Sequence, residues 1–137
     1  MGISRHYLKE NNFLLSRLCG EINDLNLSEH VLAFNRETKE ISDLRELVDC
    51  RDIENLENLT VNGATSDAKL AEKHSDYMTA ILVNNATLLY GMARAFQMFL
   101  DDRRKEVKIF KDFDEALSWL ANNDKEINVL KKFIESV

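Results

Sequence analysis

Few residues in this chain have the chemistry of a catalytic nucleophile. Cys50 lies between Asp49 and Arg51. A neighbouring cation lowers the pKa of a thiol and produces a nucleophilic thiolate, so this segment is a candidate for nucleophilic catalysis. A cysteine at the end of a strand is more often a small buried residue, and we interpret Cys50 in that way. The sequence therefore predicts no catalytic residue.

The histidines and carboxylates do not form a recognisable site. His6, His30 and His74 lack the i, i+4 spacing that brings two imidazoles to one zinc ion. Asp101 and Asp102 are adjacent, and adjacent side chains on a helix point in different directions, which makes a poor acid and base pair. The glycine-rich motifs that bind nucleotides are absent from the sequence. We expect no enzyme, no metal site and no cofactor.

Charge and hydropathy exclude several classes of partner. The 137 residues include 18 Lys and Arg against 24 Asp and Glu, a formal net charge of −6. An acidic surface repels a phosphate backbone, so we expect no nucleic acid partner. No apolar run approaches the roughly 18 residues that a membrane span needs. The basic cluster Arg103-Arg104-Lys105 is predicted to end a long helix, where cations complement the helix dipole.

The same composition predicts one domain in a reducing compartment. No signal peptide is recognisable at the N-terminus, and two distant cysteines do not make a disulfide framework. The chain has no proline and no linker-like segment. We expect a single domain, residues 1–137, in the cytoplasm.

Alternating strand and helix patterns predict an α/β fold. Strands are predicted at 6–10, 13–19, 45–50, 77–83 and 107–110, and helices at 26–36, 60–74, 86–103, 113–121 and after 124. The pair Asn11-Asn12 suits a tight turn between the first two strands. The order predicts a mixed sheet of four or five strands, flanked by helices and joined by right-handed crossovers.

Residues 109–120 are the most informative segment. An apolar strand end precedes Asp112, which occupies an N-cap position, and Glu115 follows where a capping-box partner belongs. Trp119, the only tryptophan, is predicted to be largely buried and to anchor helix 113–121 against the sheet. This segment resembles the closing strand and helix of SpoIIAA-like domains, which are related to the STAS domains of anti-sigma-factor antagonists.

Three further segments carry the resemblance, which extends from about residue 13 to residue 120. Residues 18–21 resemble the strand end that precedes the first helix of the family. Residues 47–52 resemble its central strand, and residues 90–96 resemble the long helix after its fourth strand. The resemblance implies a STAS-like α/β fold and a non-enzymatic binding or regulatory role. Its partner would be a protein or a small ligand.

One departure from the antagonist pattern concerns phosphorylation. Phosphorylatable antagonists carry an Asp-Ser-Ser/Thr-Gly turn where this chain has residues 58–63, and those residues contain no Asp-Ser pair. Thr60 lies where a helix N-terminus would stabilise a phosphate. A hydroxyl N-cap explains the same residue, and we interpret Thr60 as a cap that is not phosphorylated by an anti-sigma-type kinase.

A ligand or partner site is predicted beyond the carboxyl ends of the parallel strands. Open α/β sheets leave crevices there, next to exposed helix N-termini. The residues expected at this edge are Asp49, Arg51, Asp52, Thr60, Asn84 and Asn85.

Two binding functions remain open at this level. The first is recognition of a protein partner or small ligand, and the alternative is a carrier that holds an apolar or lipid-like ligand between helices and sheet. Helix 86–103 has apolar residues beyond a single stripe, which fits a ligand cavity, a homodimer face or contact with the terminal helix. A closed, well-filled core favours protein recognition, whereas an apolar cavity of ligand size under this helix favours the carrier. The stripe comprises Leu88, Leu89, Met92, Ala95, Phe96 and Phe99, and the surplus comprises Met98 and Leu100.

Overall fold

The computed structural model describes residues 2–85, 87–101 and 103–137. Within these ranges it describes every side chain except those at positions 64, 65, 67, 68, 87–89, 95 and 99. Four residues of the predicted apolar stripe therefore have side chains that the structure does not describe: Leu88, Leu89, Ala95 and Phe99. The helix start predicted at residue 86 lies outside the described residues as well.

Five strands in the described part of the chain form one mixed sheet, and they follow one another in chain order. They are β1 (Gly2–Leu8), β2 (Phe13–Glu21), β3 (Arg45–Asn55), β4 (His74–Leu82) and β5 (Arg104–Phe110). Strand β1 pairs antiparallel with β2. The pairs β2–β3, β3–β4 and β4–β5 are parallel. The predicted mixed sheet is thus confirmed.

Helices cover both faces of this sheet. Helices α1 (Asp24–Thr38), α2 (Val61–Leu70) and α3 (Thr87–Leu100) connect successive parallel strands. Right-handed crossovers between strands in sequential order all fall on one side, so these three helices share a face. Helices α4 (Phe113–Leu120) and α5 (Asp124–Ser136) follow the last strand and pack on the opposite face.

Each face has its own hydrophobic core. Leu27 of α1 and Ala93 of α3 belong to a cluster with Leu18 and Ile81 of the sheet. The opposite cluster joins α4 and α5 to residues of β2, β3 and β4; its fully buried members include Phe13, Leu15, Leu47, Leu82, Leu117 and Leu130. Strand alternation explains this division, because successive side chains point to opposite faces.

The opening hairpin forms around the predicted Asn pair. Asn12 has a φ of 48°, a left-handed conformation that asparagine tolerates, and its N–H donates to the Lys9 carbonyl at 3.1 Å. Leu8 and Phe13 are paired across the turn. The first strand is longer than predicted, since it begins at Gly2 and ends before a single 3₁₀ turn, Lys9–Asn11.

Helix starts follow their caps. The backbone N–H of Glu115 donates to Asp112 Oδ1 at 2.9 Å, which confirms the predicted cap of α4. The predicted start of α1 at Asn26 is wrong by two residues. Asn23 is the N-cap: its side chain accepts from the Asn26 N–H at 2.8 Å, and the Asn26 side chain accepts from the Asn23 N–H at 2.9 Å.

The basic cluster after α3 does not act as predicted. Helix α3 ends at Leu100, and the Arg103 Nε donates to the Ala71 carbonyl at 3.0 Å, just beyond the C-terminus of α2. Arg104 opens β5 and is buried, with 7% of its surface exposed. Arg103 and Arg104 are therefore part of the packing between strands and helices, whereas Lys105 is exposed.

Trp119 is mostly buried and packs against the core under α4 and α5, which agrees with the predicted anchor. Its ring lies 5.6 Å from that of Phe110 and 5.8 Å from the Lys108 Nζ. Both partners belong to β5, the last strand of the sheet, and an edge strand leaves one side of the indole open to solvent.

Candidate functional site

A cavity of about 100 Å³ lies between the sheet and the helices α1 and α3. Helix α3 contributes Met92, Ala93, Phe96 and Leu100, whose spacing places them on one side of the helix. Small side chains, among them Ala93, leave the space that larger residues would fill. An apolar cavity of ~150 Å³ admits benzene, so this one has the scale of a short alkyl chain.

Polar side chains gather at one region of this otherwise apolar wall. Glu46 and Thr79 are both buried, and they are paired across β3 and β4. The Ser16 hydroxyl donates to Glu46 Oε2 at 2.8 Å, and the Thr79 hydroxyl lies 3.5 Å from Oε1. His30 and Arg104 complete the polar part of the lining. The cavity thus has an apolar body and one polar wall.

Burial controls the ionisation of Glu46. Removal from water raises the pKa of its carboxyl, and the Ser16 hydrogen bond and the charge of Arg104 only partly oppose this rise. Burial penalises the charged carboxylate, so this environment favours the neutral acid.

Arg104 lines the cavity, and its Nε donor is unused. Its Nη1 donates to the carbonyls of Glu72 at 2.7 Å and Arg103 at 3.0 Å. Its guanidinium lies 5.3 Å from the centre of the Phe34 ring. The buried Nε–H has no acceptor among the residues that the structure describes. Burial lowers the pKa of Arg104, yet a guanidinium keeps its proton at neutral pH.

His30 is a neutral member of this wall. Arg5 Nη1 lies 3.2 Å from His30 Nδ1 and has only protons to donate, so the imidazole proton is assigned to Nε2. Burial and the Arg5 charge lower the pKa of His30 to about 4. Arg5 is held in place by Glu37, with an Nε to Oε1 distance of 2.8 Å.

Cys50 also lines the cavity, as a thiol. Burial, followed by the negative charges of Asp49 and Glu46, raises the pKa of Cys50 to about 12. A thiol with so high a pKa is a poor source of thiolate. The interpretation of Cys50 as a small buried residue is confirmed.

The cavity wall includes residues that the sequence did not single out as a site, above all Glu46, Arg104 and His30. A signal for Glu46 was present, because an acid stands directly before the apolar pair Leu47-Val48 in the part of β3 that is buried or partly buried. Acids at such positions are costly to bury unless they have partners or a role.

The predicted residues of β3 lie elsewhere. They are part of the strand rather than of a loop after it, because β3 continues to Asn55. Asp49 is buried and accepts from Arg51 Nε and Nη2, each at 3.0 Å. The Arg51 guanidinium lies 5.0 Å above the Phe113 ring of α4, on the sheet face opposite the cavity. Asp52 is exposed.

Thr60 is a helix cap, as predicted. The Gly63 N–H donates to Thr60 Oγ1 at 2.8 Å. The Thr60 hydroxyl donates in turn to Asp24 Oδ2 at 3.0 Å, and this contact joins the beginnings of α1 and α2. Asn84 and Asn85 are exposed between β4 and α3. The six predicted residues thus share one edge of the sheet without converging on one point.

Two further observations concern the residues that the structure describes. No group of three or more His, Cys, Asp or Glu side chains in this part of the chain is arranged to hold a metal ion. None of the helices within it is both long and apolar enough to cross a membrane.

Known proteins place this architecture in a family. The SpoIIAA-like family model matches residues 17–121. No curated protein matches the chain. A crystal structure of an uncharacterized protein of the DUF3478 family from Shewanella loihica PV-4, described as having a SpoIIAA-like fold, superposes with a TM-score of 0.57 at 21% identity, and the match covers 88% of this chain and 93% of that one. The predicted resemblance is confirmed, and the chain belongs to the SpoIIAA-like family.

Proposed function

We propose that this protein is a non-enzymatic binding module that holds a small apolar ligand in the cavity beneath α3. The supporting observation is the cavity itself, about 100 Å³ between α3 and the sheet with a mainly apolar wall. Of the two functions that the sequence left open, a cavity at this place favours the carrier. The SpoIIAA-like fold is generally non-catalytic, which agrees with a binding role.

Energetics also favour an occupant. Protein interiors are close-packed, with few voids larger than a water molecule. Side chains that line unfilled space lose packing contacts, and a ligand that fills the space recovers them. Retention of such a space is readily explained by binding.

Xenon under pressure tests the proposal, because it is an apolar probe that enters cavities of this kind. We expect saturable shifts in ¹H–¹⁵N spectra at cavity residues such as Ile81 and Ala93. The variant Ala93→Leu adds carbon atoms to the cavity wall and is expected to abolish these shifts. Met98→Leu is the matched control, since Met98 is on the same helix but is 70% exposed.

Two results would contradict the proposal. One is the absence of saturable shifts in the folded parent protein. The other is xenon binding that Ala93→Leu does not alter, or that maps to the opposite core around Leu117 and Leu130.

Recognition of a protein partner is the second candidate function, since the SpoIIAA-like family is often involved in protein interactions. The surface proposed for it is the carboxyl edge of the sheet, where Asp52, Thr60, Asn84 and Asn85 are exposed. Amide shifts on titration with a partner would test this placement, and shifts confined to the opposite edge would contradict it.

A further inference from the structure

The polar wall of the cavity contains a buried cation whose charge is not neutralised by a direct contact. Arg104 forms no ion pair with Glu46, nor with any other acid among the described side chains, although the charges of Arg104 and Glu46 influence each other. Its Nη1 contacts are with carbonyl groups, which carry no formal charge. A buried charge is costly unless it is paired. The Arg104 Nε–H has no acceptor among the described residues, so the site offers an anion an unused donor.

We propose that the ligand is a short-chain carboxylic acid, bound as the carboxylate, with its head group on the Arg104 Nε–H and its hydrocarbon chain against Met92 and Phe96. This inference rests on the proposed function and specifies the ligand of the same cavity. Arg104 is more than nine-tenths buried, lines the cavity and holds the unused donor.

The neighbouring groups favour an anion over other head groups. His30 is neutral, and neither His30 nor Glu46 accepts from the Arg104 Nε–H, so this donor is open to a carboxylate. An amine would bring a second cation next to Arg104. An alcohol would accept from Nε but would leave the charge of Arg104 without a counter-ion. A carboxylate both accepts the hydrogen bond from Nε and supplies a negative charge next to Arg104. Charge-assisted hydrogen bonds of this kind are about twice as strong as neutral ones.

The length of the acid follows from the volume. A cavity of about 100 Å³ is smaller than the ~150 Å³ that holds benzene, so the apolar part has four or so carbon atoms. Pentanoate and 1-pentanol are therefore the matched probes, since they differ in the head group at equal chain length.

Titration of the parent protein with both probes, followed by ¹H–¹⁵N spectra, tests the head group. We expect pentanoate to bind at least tenfold more tightly than 1-pentanol and to shift the side-chain Nε resonance of Arg104. Equal affinity of the two probes would overturn the carboxylate inference. A crystal structure at saturating pentanoate with only a water molecule on Nε would overturn it as well.

Variants separate the head group from the cavity. Arg104→Met keeps an apolar stem and removes the guanidinium, so we expect it to abolish the preference for pentanoate while xenon still binds. Lys105→Met is the matched control, because it removes one positive charge at an exposed position of the same strand. If Arg104→Met does not fold, the Arg104 Nε resonance of the parent protein decides the question.

The experiments distinguish failure of the carboxylate ligand from failure of the carrier function. Xenon binding without a preference for pentanoate overturns the carboxylate ligand and leaves the carrier function in place. If neither xenon nor pentanoate produces saturable shifts, the carrier function fails, and the ligand assignment fails with it.

Discussion

At the scale of single residues, two buried groups in the cavity wall respond to pH in opposite ways. The pKa of Glu46 is raised, so its contribution to stability is complete below its unfolded pKa and is lost as pH rises through the folded value. The pKa of His30 is lowered to about 4, so its contribution is present above an unfolded pKa near 6.5 and is lost as pH falls toward 4.

The His30→Asn variant tests the second of these effects. It removes the titrating group, so the parent protein should lose about 3 kcal/mol more stability than the variant between pH 7 and pH 4, since each unit of pKa shift is worth ~1.4 kcal/mol. Urea unfolding at several pH values measures the difference. Leu32→Ala, at an exposed site on α1, controls for a general change in stability. Parallel curves for parent and His30→Asn would contradict the prediction.

The Glu46→Gln variant tests the first effect. Glutamine still accepts from Ser16 but does not ionise. The free energy of unfolding of the parent should therefore fall more steeply than that of Glu46→Gln as pH rises from about 4.5, the ordinary value of a glutamate. The same urea series measures it. A variant that is more sensitive than the parent to rising pH would show that the pKa of Glu46 is not raised.

At the scale of elements, the Thr60 hydroxyl strengthens the link between α1 and α2, to which the Thr60 N–H also contributes by donating to Asp24 Oδ1. Thr60→Ala removes the acceptor for the Gly63 N–H and the donor to Asp24, and we expect a loss of 0.5–2 kcal/mol, the usual cost of an N-cap. Thr60→Ser keeps the hydroxyl and serves as the matched control. Thermal unfolding of both variants measures the difference, and equal losses would show that the hydroxyl does not stabilise α2.

Sequence patterns located the elements well where local chemistry decides them. The cap at Asp112 was found because its partner lies three residues away, and the Asn pair located the hairpin in the same way. The start of α1 was missed because Asn26 and Asn23 cap each other, so both satisfy the composition of a cap. Local signals thus find a helix end to within a turn.

Local sequence signals could not predict the polar wall of the cavity. Strict alternation from Val107 would place Arg104 on the opposite face of the sheet. The pairing of β4 with β5 shifts its register between His74 and Met78, and the long side chain of Arg104 lines the cavity. A register shift depends on two strands that are distant in sequence, so the cluster of Arg104, Glu46 and His30 needs the tertiary structure to be seen.

At the scale of the whole molecule, a substitution in the core on one face of the sheet should leave the core on the other face unchanged. Leu130 is fully buried in the core under α4 and α5, so Leu130→Ala should cost about 2–5 kcal/mol in the free energy of unfolding. Xenon binding on the other face should stay within twofold of the parent. Urea unfolding and xenon titration of the same sample measure both quantities. A parallel fall in xenon affinity of the folded variant would show that the cores are coupled.

The agreement of strand order with chain order has a consequence for synthesis of the protein. Each strand that leaves the ribosome finds its neighbour already in place, and α1, α2 and α3 cover one face as it grows. The face that holds Leu15 and Leu47 has no cover until α4 and α5 have been translated. A nascent chain that stalls before residue 113 therefore displays this apolar surface and is a natural client for chaperones that bind exposed hydrophobic segments.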